Sequence, residues 1–203
     1  MFFSFDGLDG VGKTTQMRLF CEWLAERQLE VITCRDPGST PLGEKVREIL
    51  LNSDENTPID ARCEMLLYMA ARAQLVDEVL HPALAADKTI VSDRYLLANV
   101  VYQGHAGGLD VEAVREVGQV ATAGLMPDCT FLLDMSPEAA LQRMGDDLDR
   151  MESRGNDFRE RLREGFLKEA GRPNCAIHLI DADRPVDVVQ ADLRKIAGQL
   201  LDA

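Results

Sequence analysis

Five short apolar segments, each closed by a charged residue, recur along the chain. They cover residues 2–6, 31–35, 89–93, 130–134 and 176–181. Near-continuous apolar runs of this length are typical of strands buried on both faces, which belong to parallel sheets. We therefore predict five parallel strands whose charged ends share one edge of the sheet.

Between these segments the apolar positions recur with the spacing of amphipathic helices. The clearest examples cover residues 15–27, 61–80 and 186–201. Strands that alternate with helices predict an α/β fold, an open parallel sheet with helices on both faces. No repeat or linker interrupts the pattern, so we expect one domain over residues 1–203.

The charge and composition narrow the choice of partners. Lys and Arg number 22 against 35 Asp and Glu, a net charge of −13 that repels polyanions, so no nucleic-acid partner is expected. The five cysteines form no C-x-x-C pair, and no long apolar run suggests a membrane partner. We expect a soluble cytoplasmic protein.

A glycine-rich string joins the first predicted strand to the first predicted helix. Residues 7–14, GLDGVGKT, fit G-x-x-x-x-G-K-[ST], in which backbone N–H groups cradle phosphates and the Lys13 charge reaches them. A tight strand-to-helix turn also uses glycines, but the full string with both flanks favours a nucleotide. The predicted triphosphate site comprises Gly7, Leu8, Asp9, Gly10, Val11, Gly12, Lys13, Thr14 and Thr15.

The third predicted strand ends in Asp93, and Arg94 follows it. A carboxylate at this strand end suits a Mg²⁺ ion shared with the Thr14 hydroxyl. A guanidinium beside it suits bidentate capture of a second phosphate. The alternative is an ordinary surface ion pair between Asp93 and Arg94.

The side chains that could serve as a catalytic nucleophile or base favour a phosphotransferase whose acceptor is already phosphorylated. There is no N-K-x-D string for guanine, and the three histidines form no evident catalytic set. A phosphate monoester has a second pKa of about 6, so it attacks at pH 7 without a general base. Cations, a metal carboxylate and positioning are then sufficient.

Further motifs resemble, in order and over nearly the whole chain, those of bacterial thymidylate kinases. Besides the cradle with its acidic Asp9, they are residues 35–40, 68–72, 93–95, Asn99, residues 101–104 and residues 134–138. The resemblance implies a P-loop NTPase fold with a five-stranded parallel sheet. It also implies Mg²⁺-dependent transfer of the γ-phosphoryl group of ATP to dTMP, giving dTDP, and a homodimer.

The resemblance also implies roles for individual residues. Asp9 would accept a hydrogen bond from the sugar 3′-hydroxyl group and help Thr14 and Asp93 to organise the metal. Tyr102 would crowd the 2′ position, and the backbone at Ala182 would pack against the donor adenine. The implied dTMP-binding set is Asp9, Arg35, Pro37, Tyr68, Arg72, Arg94, Asn99, Tyr102 and Gln103, with Pro37 expected in the cis form.

Tyr68 and Arg72 can be interpreted either as contacts for the base or as ordinary helix residues. Four residues apart on a predicted helix, they share one face and could stack on a pyrimidine and bond its exocyclic oxygen. Without the resemblance, a core Tyr68 and a solvated Arg72 would be the ordinary interpretation.

Some of the cations that act on the transferring phosphoryl group are expected to come from a lid at about residues 143–156. The resemblance implies that the lid supplies an arginine when the residue after Asp9 is not basic, and here that residue is Gly10, although the lid segment is short and acidic. Arg143 and Arg150 are the candidates, while Arg159, Arg161 and Arg163 are predicted to be solvated. The predicted catalytic set is Lys13, Asp93, Arg94, Arg143 and Arg150.

Two other functions stay open at the level of sequence. One is a kinase for another nucleotide or for a deoxynucleoside. The other is a non-catalytic ATP-binding sensor module, to which the acidic lid lends some weight.

Overall fold

The computed structural model describes residues 1–52, 58–144, 155–173 and 175–202. Its sheet contains five parallel strands in the order β2-β3-β1-β4-β5. The strands are β1 (Phe2–Gly7), β2 (Val31–Arg35), β3 (Thr89–Asp93), β4 (Cys129–Asp134) and β5 (Ile177–Asp181). The predicted parallel sheet is confirmed, each strand end within one residue of the expected position.

Helices cover the sheet on both faces. Those in the described ranges are α1 (Lys13–Glu26), α2 (Pro41–Asn52), α3 (Ala61–Leu75), α4 (His81–Ala85), α5 (Leu96–Asn99), α6 (Val111–Thr122), α7 (Pro137–Gln142), α8 (Asn156–Ala170) and α9 (Val186–Leu201). Two π-helical turns, Val76–Leu80 and Val100–His105, extend α3 and α5. The helix predicted over residues 61–80 therefore continues through a wider turn into α4.

The burial of each strand matches its place in the sheet. Every residue of β1 is buried, whereas β2 and β5 at the edges keep exposed positions. Phe3 and Phe5 of β1 pack with Phe20 of α1 and Phe131 of β4, with ring centroids between 5.1 and 5.9 Å apart. This aromatic cluster fixes α1, and with it the cradle, against the centre of the sheet.

The register aligns the charged strand ends. Asp93 lies beside Phe5 of β1 and beside Arg35 of β2. The chain leaves β1 towards β2 on one side and later reaches β4 on the other, and ligands bind where such a reversal opens a crevice. In the ranges given above, no helix combines the length and the apolar character needed to cross a bilayer.

Candidate active site

The glycine-rich string forms a cradle between β1 and the start of α1. Gly12, directly before α1, has φ of 94°, and Gly7 has φ of 135°. A side chain at Gly7 would also collide with the carbonyl oxygen of Leu133 on the neighbouring strand. Only glycine meets both demands, and the resulting turn aims the N-terminus of α1 at the cavity, where it favours an anion.

Four polar side chains converge at the mouth of the cradle. Lys13 Nζ donates to the carbonyl oxygen of Leu8 at 2.7 Å and to Asp9 Oδ1 at 3.2 Å. Arg94 donates through Nη2 to the same Asp9 oxygen at 2.5 Å, and the Tyr102 hydroxyl donates to Asp9 Oδ2 at 3.1 Å. Asp9 thus holds the two strongest candidate phosphate ligands together.

Burial and charge set the ionisation of this cluster. Burial alone would raise the pKa of Asp9, but the positive charges of Arg94 and Lys13 hold it well below its usual range. The pKa of Lys13 is lowered by burial and by the nearby Arg94, against the attraction of Asp9. The pKa of Arg94 is raised because its acidic neighbours outweigh the penalty of burial. Asp9 therefore offsets part of the cost of holding two adjacent cationic side chains in a desolvated position.

The cluster opens into a cavity of about 790 Å³. Among the described residues that line it, seven are basic and three are acidic, although the whole chain carries a net charge of −13. The basic ones are Lys13, Arg35, Arg47, Arg72, Arg94, Arg143 and Arg184. Such local convergence of cations suits a ligand with several phosphate groups.

Helix α3 forms one wall of the cavity. Tyr68 is half-buried on this wall, and Arg72 lies one turn further along, only 1% exposed. Arg72 donates through Nε to Asp36 Oδ2 at 2.5 Å and through Nη2 to the carbonyl oxygen of Tyr95 at 3.3 Å. The ordinary interpretation of Arg72 as a solvated side chain is therefore wrong.

Asn99 of α5 and Gln103 of the π-helical turn after it line the cavity next to α3. Both are 2% exposed, and Asn99 Nδ2 donates to Gln103 Oε1 at 2.6 Å. Gln103 Nε2 in turn donates to Glu64 Oε1 of α3 at 2.9 Å. Glu64 was not a sequence candidate, since nothing local marks a helical glutamate as buried.

The turn after β2 brings further groups to the same cavity. The Asp36–Pro37 peptide bond is cis, as expected from the resemblance, and Pro37 and Arg35 line the cavity. The exposed Arg35 is paired with Glu44, Nη2 to Oε2, at 2.6 Å. Arg47 of α2 also lines the cavity and donates to the carbonyl oxygen of Pro37 at 3.1 Å. Sequence reasoning missed Arg47, because its spacing on α2 resembles that of a solvated side chain.

At the opposite end, Arg143 and Ala182 line the cavity together. Arg143 follows α7 and donates to the carbonyl oxygen of Ala182 at 3.4 Å and to Asp183 Oδ1 at 3.1 Å. The other lid candidate, Arg150, lies outside the described residues. Of the predicted cradle residues, Gly7 and Leu8 lie behind the cavity wall, where their carbonyl oxygens accept from Lys13.

Two features fit a magnesium ion. Thr14 is exposed and lines the cavity, and Asp93, which also lines it, has an Oδ1 atom without a hydrogen-bond partner among the described residues. Mg²⁺ prefers such hard oxygen ligands and fills its remaining positions with water and phosphate oxygens. Asp9, the third predicted ligand, already has both oxygens engaged by Lys13, Arg94 and Tyr102.

Asp6, the residue before the cradle, is fully buried, and neither of its oxygens has a hydrogen-bond partner in the described part of the chain. Burial raises its pKa from 3.8 to about 7, against the lowering effect of Arg94 and Lys13. Between these two values the folded state binds the proton more tightly than the unfolded state. The free energy of unfolding contributed by this group therefore falls as the pH rises from about 4 to 7.

We accordingly expect Asp6→Asn, which removes the buried ionisation, to raise the melting temperature at pH 8 relative to the unmodified chain. The gain should shrink towards pH 4, where the carboxyl group is protonated in both states. Scanning calorimetry at both pH values measures this, with Asp87→Asn on the exposed turn before β3 as the control. An equal change at pH 4 and pH 8 would contradict the assignment.

The parallel sheet, the glycine-rich cradle between β1 and α1 and the cationic crevice beyond the strands place the chain among P-loop NTPases. The thymidylate kinase family model matches residues 5–193. A thymidylate kinase of Rhodopirellula baltica is 42% identical over 191 residues, 94% of this chain and 77% of that protein. One from Symbiobacterium thermophilum is 39% identical over 202 residues, 99% and 94% of the two chains.

A solved structure gives the same result. The crystal structure of a thymidylate kinase from Ehrlichia chaffeensis superposes with a TM-score of 0.81 at 27% identity, covering 97% of this chain and 98% of that one. The chain belongs to the thymidylate kinase family.

Proposed function

We propose that the chain is a dTMP kinase that transfers the γ-phosphoryl group of ATP to dTMP, giving dTDP and ADP on the route to dTTP. The observation that carries this function is the basic cavity, which extends without a break from the cradle to the wall formed by α3. It offers phosphate ligands in the middle and a separate polar wall at each end. That arrangement suits two nucleotides placed with their phosphates facing each other.

The donor half is built on the cradle. The backbone from Gly10 to Thr15, the N-terminus of α1 and the Lys13 ammonium group bind the triphosphate of ATP. The loop at Ala182 packs beside the adenine, and Arg143 lies next to it. Lys13 must exchange its bonds to Leu8 and Asp9 for phosphate oxygens when ATP enters.

The acceptor half lies between α3 and the turn after β2. Arg94 and Arg35 hold the phosphate of dTMP, Asp9 accepts from the 3′-hydroxyl group, and Tyr102 closes the space around the 2′ carbon. The base lies against the remaining predicted residues, namely Pro37, Tyr68, Arg72, Asn99 and Gln103. Arg47, on the same wall as Arg35, is a further phosphate ligand in this proposal.

The reaction needs no general base, because the acceptor phosphate is already an anion at pH 7. One phosphate oxygen of dTMP attacks the γ-phosphorus atom as the bond to the β,γ-bridging oxygen of ATP breaks. Lys13 and Arg94 stabilise the negative charge on the oxygens of the transferring group. Arg143 and Arg150 of the lid add to that stabilisation.

Thr14 and Asp93 would hold the magnesium ion, which when bound neutralises charge on the β- and γ-phosphate oxygens. Asp9 supports this site through its bonds to Lys13 and Arg94 rather than through a free oxygen. Residues 1–203 act as one kinase domain, with the lid at about residues 143–156.

We also place the enzyme in the cytoplasm as a homodimer, without nucleic-acid or membrane partners. Free cysteines fit a reducing compartment, and the net charge of −13 disfavours polyanions. Leu42 and Ile49 of α2 and Leu66 of α3 are roughly half exposed, and they are apolar surface for a second copy to cover.

A coupled assay of ADP release with ATP, Mg²⁺ and each of dTMP, dUMP, dCMP, dAMP and thymidine tests the proposed function. We expect dTMP to give the highest kcat/KM and thymidine to give none, because Arg94 and Arg35 require a phosphate in the acceptor. A preference for thymidine would overturn the acceptor assignment. ATP binding without ADP release for every acceptor would indicate a sensor module instead.

A further inference from the structure

Glu64 extends the base-side wall of α3 by one turn. Residues 64, 68 and 72 are spaced four apart, so all three side chains lie on the face that meets the cavity and the turn opposite. Glu64 is 2% exposed, which is rare for a glutamate without a specific partner. Glu64 accepts a hydrogen bond from Gln103, a side chain of the cavity wall.

The side chains of Asn99, Gln103 and Glu64 form a chain of two hydrogen bonds, called the relay below, in which both donors point towards Glu64. Asn99 Nδ2 donates to Gln103 Oε1, and Gln103 Nε2 donates to Glu64 Oε1. An amide group can turn over to exchange its donor and acceptor ends, but a carboxylate only accepts. Glu64 therefore forces the nitrogen of Gln103 towards α3, and Gln103 in turn forces the nitrogen of Asn99 towards itself.

The far end of the relay is an acceptor. Asn99 Oδ1 is buried and has no hydrogen-bond partner among the residues that the structure describes. A buried acceptor without a partner costs free energy, so a donor supplied at this wall is favourable. If position 64 could also donate, Gln103 and Asn99 could both turn over, and the far end would become an amide nitrogen.

We propose that Glu64 is a positioning residue that sets the direction of this relay and thereby selects the acceptor base. An acceptor at the wall suits thymine or uracil, whose N3 carries a hydrogen, and disfavours cytosine, whose N3 is itself an acceptor. This inference rests on the proposed function in that it takes the acceptor to be a pyrimidine nucleotide. It assigns the distinction between dTMP and dCMP to a residue on the α3 wall.

The test is Glu64→Gln, which keeps the shape but allows position 64 to donate. We expect kcat/KM for dTMP to fall about tenfold, mainly through KM, because the favourable amide orientation is no longer enforced. The ratio of kcat/KM for dCMP to that for dTMP should rise at least tenfold, while KM for ATP stays unchanged. If turnover is too slow, calorimetric Kd values for dTMP and dCMP give the same ratio.

A swap provides the matched rescue. Combining Glu64→Gln with Gln103→Glu moves the carboxylate to position 103, where it again accepts from Asn99 Nδ2 and leaves Asn99 Oδ1 free. We expect the swap to restore the preference for dTMP over dCMP, which a variant damaged only in packing would not do. An unchanged ratio in folded Glu64→Gln, or the same altered ratio in the swap, overturns the inference.

The two proposals fail in different ways. If the unmodified chain does not phosphorylate dTMP at all, the proposed function is wrong whatever Glu64 does. If it prefers dTMP and Glu64→Gln keeps that preference, only the role of Glu64 is wrong.

Discussion

Arg94→Ala should lower kcat for the phosphorylation of dTMP by about 10³-fold, the usual effect of removing an arginine from a phosphoryl-transfer site. In the proposed function, Arg94 acts on the acceptor phosphate and on the transferring group. It contacts Asp9 and the Tyr102 hydroxyl, and its Nη1 donates to the carbonyl oxygen of Gly7 at 2.9 Å. Alanine removes the charge that the transferring group meets as its bond breaks.

The backbone position of Arg94 strengthens this expectation. Its φ is 65°, in the left-handed region that non-glycine residues seldom adopt. Its amide donates to the carbonyl oxygen of Phe5 at 2.9 Å, which ties the strained turn to β1. Strain at a residue held in place by the surrounding sheet is typical of functional positions.

Rapid-quench measurement of a single turnover, with the enzyme in excess over dTMP and with saturating ATP, checks the prediction, because it isolates transfer from product release. Arg18→Ala is the matched control, since Arg18 is an exposed arginine of α1 that forms an ion pair with the exposed Glu22 one turn away. We expect the control to retain nearly full activity. An Arg94→Ala rate within threefold of the control would refute the catalytic role of Arg94.

The central sheet could be predicted because β1, β3 and β4 are buried on both faces. Their sequences are therefore near-continuous apolar runs that periodicity detects. The two π-helical turns could not be predicted. The turn at Val100–His105 places Tyr102 and Gln103 on the cavity wall, and its extra residue per turn has no signature in hydrophobic spacing.

The glycine-rich turn between β1 and α1 was predictable, because a cradle built from backbone N–H groups restricts the sequence locally, whereas its binding of phosphate stays a prediction. Arg163 shows the opposite case. It was predicted to be solvated, yet it forms a bidentate pair with Asp134 at 2.8 and 2.9 Å between α8 and the end of β4. A guanidinium whose partner is 29 residues away cannot be distinguished in the sequence from one that faces water.

The Asp36–Arg72 pair combines a residue that a motif predicts with a partner that only the tertiary fold supplies. A motif pointed to Arg72 as a contact for the base, but nothing in the sequence indicated that Asp36 would meet it. The pair exists because β2 ends beside β3 and the turn that follows brings Asp36 onto α3, 36 residues from its partner. The base-side wall therefore depends on a buried ion pair formed by the tertiary fold.

We expect Arg72→Leu to lower the free energy of unfolding by about 3 kcal/mol or more, because it leaves the Asp36 carboxylate buried without its counterion. Asp36 is 3% exposed, and its Oδ1 already has no partner among the described residues. Chemical denaturation monitored by circular dichroism measures the loss. Glu44→Gln, which breaks the exposed Arg35–Glu44 pair, is the control and should cost no more than about 1 kcal/mol.

The dependence on pH identifies the cause of that loss. Burial raises the pKa of Asp36 even though Arg72 acts to lower it, so without Arg72 the pKa should rise further. A carboxyl group whose pKa is raised by folding favours the folded state at low pH and loses that contribution as the pH rises. Arg72→Leu should therefore be less destabilising at pH 5 than at pH 8. Adding Asp36→Asn should recover most of the loss at pH 8, because the unpaired charge is gone. An equal loss at both pH values, with no recovery in the double variant, would mean that packing around α3 rather than the buried charge sets the stability of this wall.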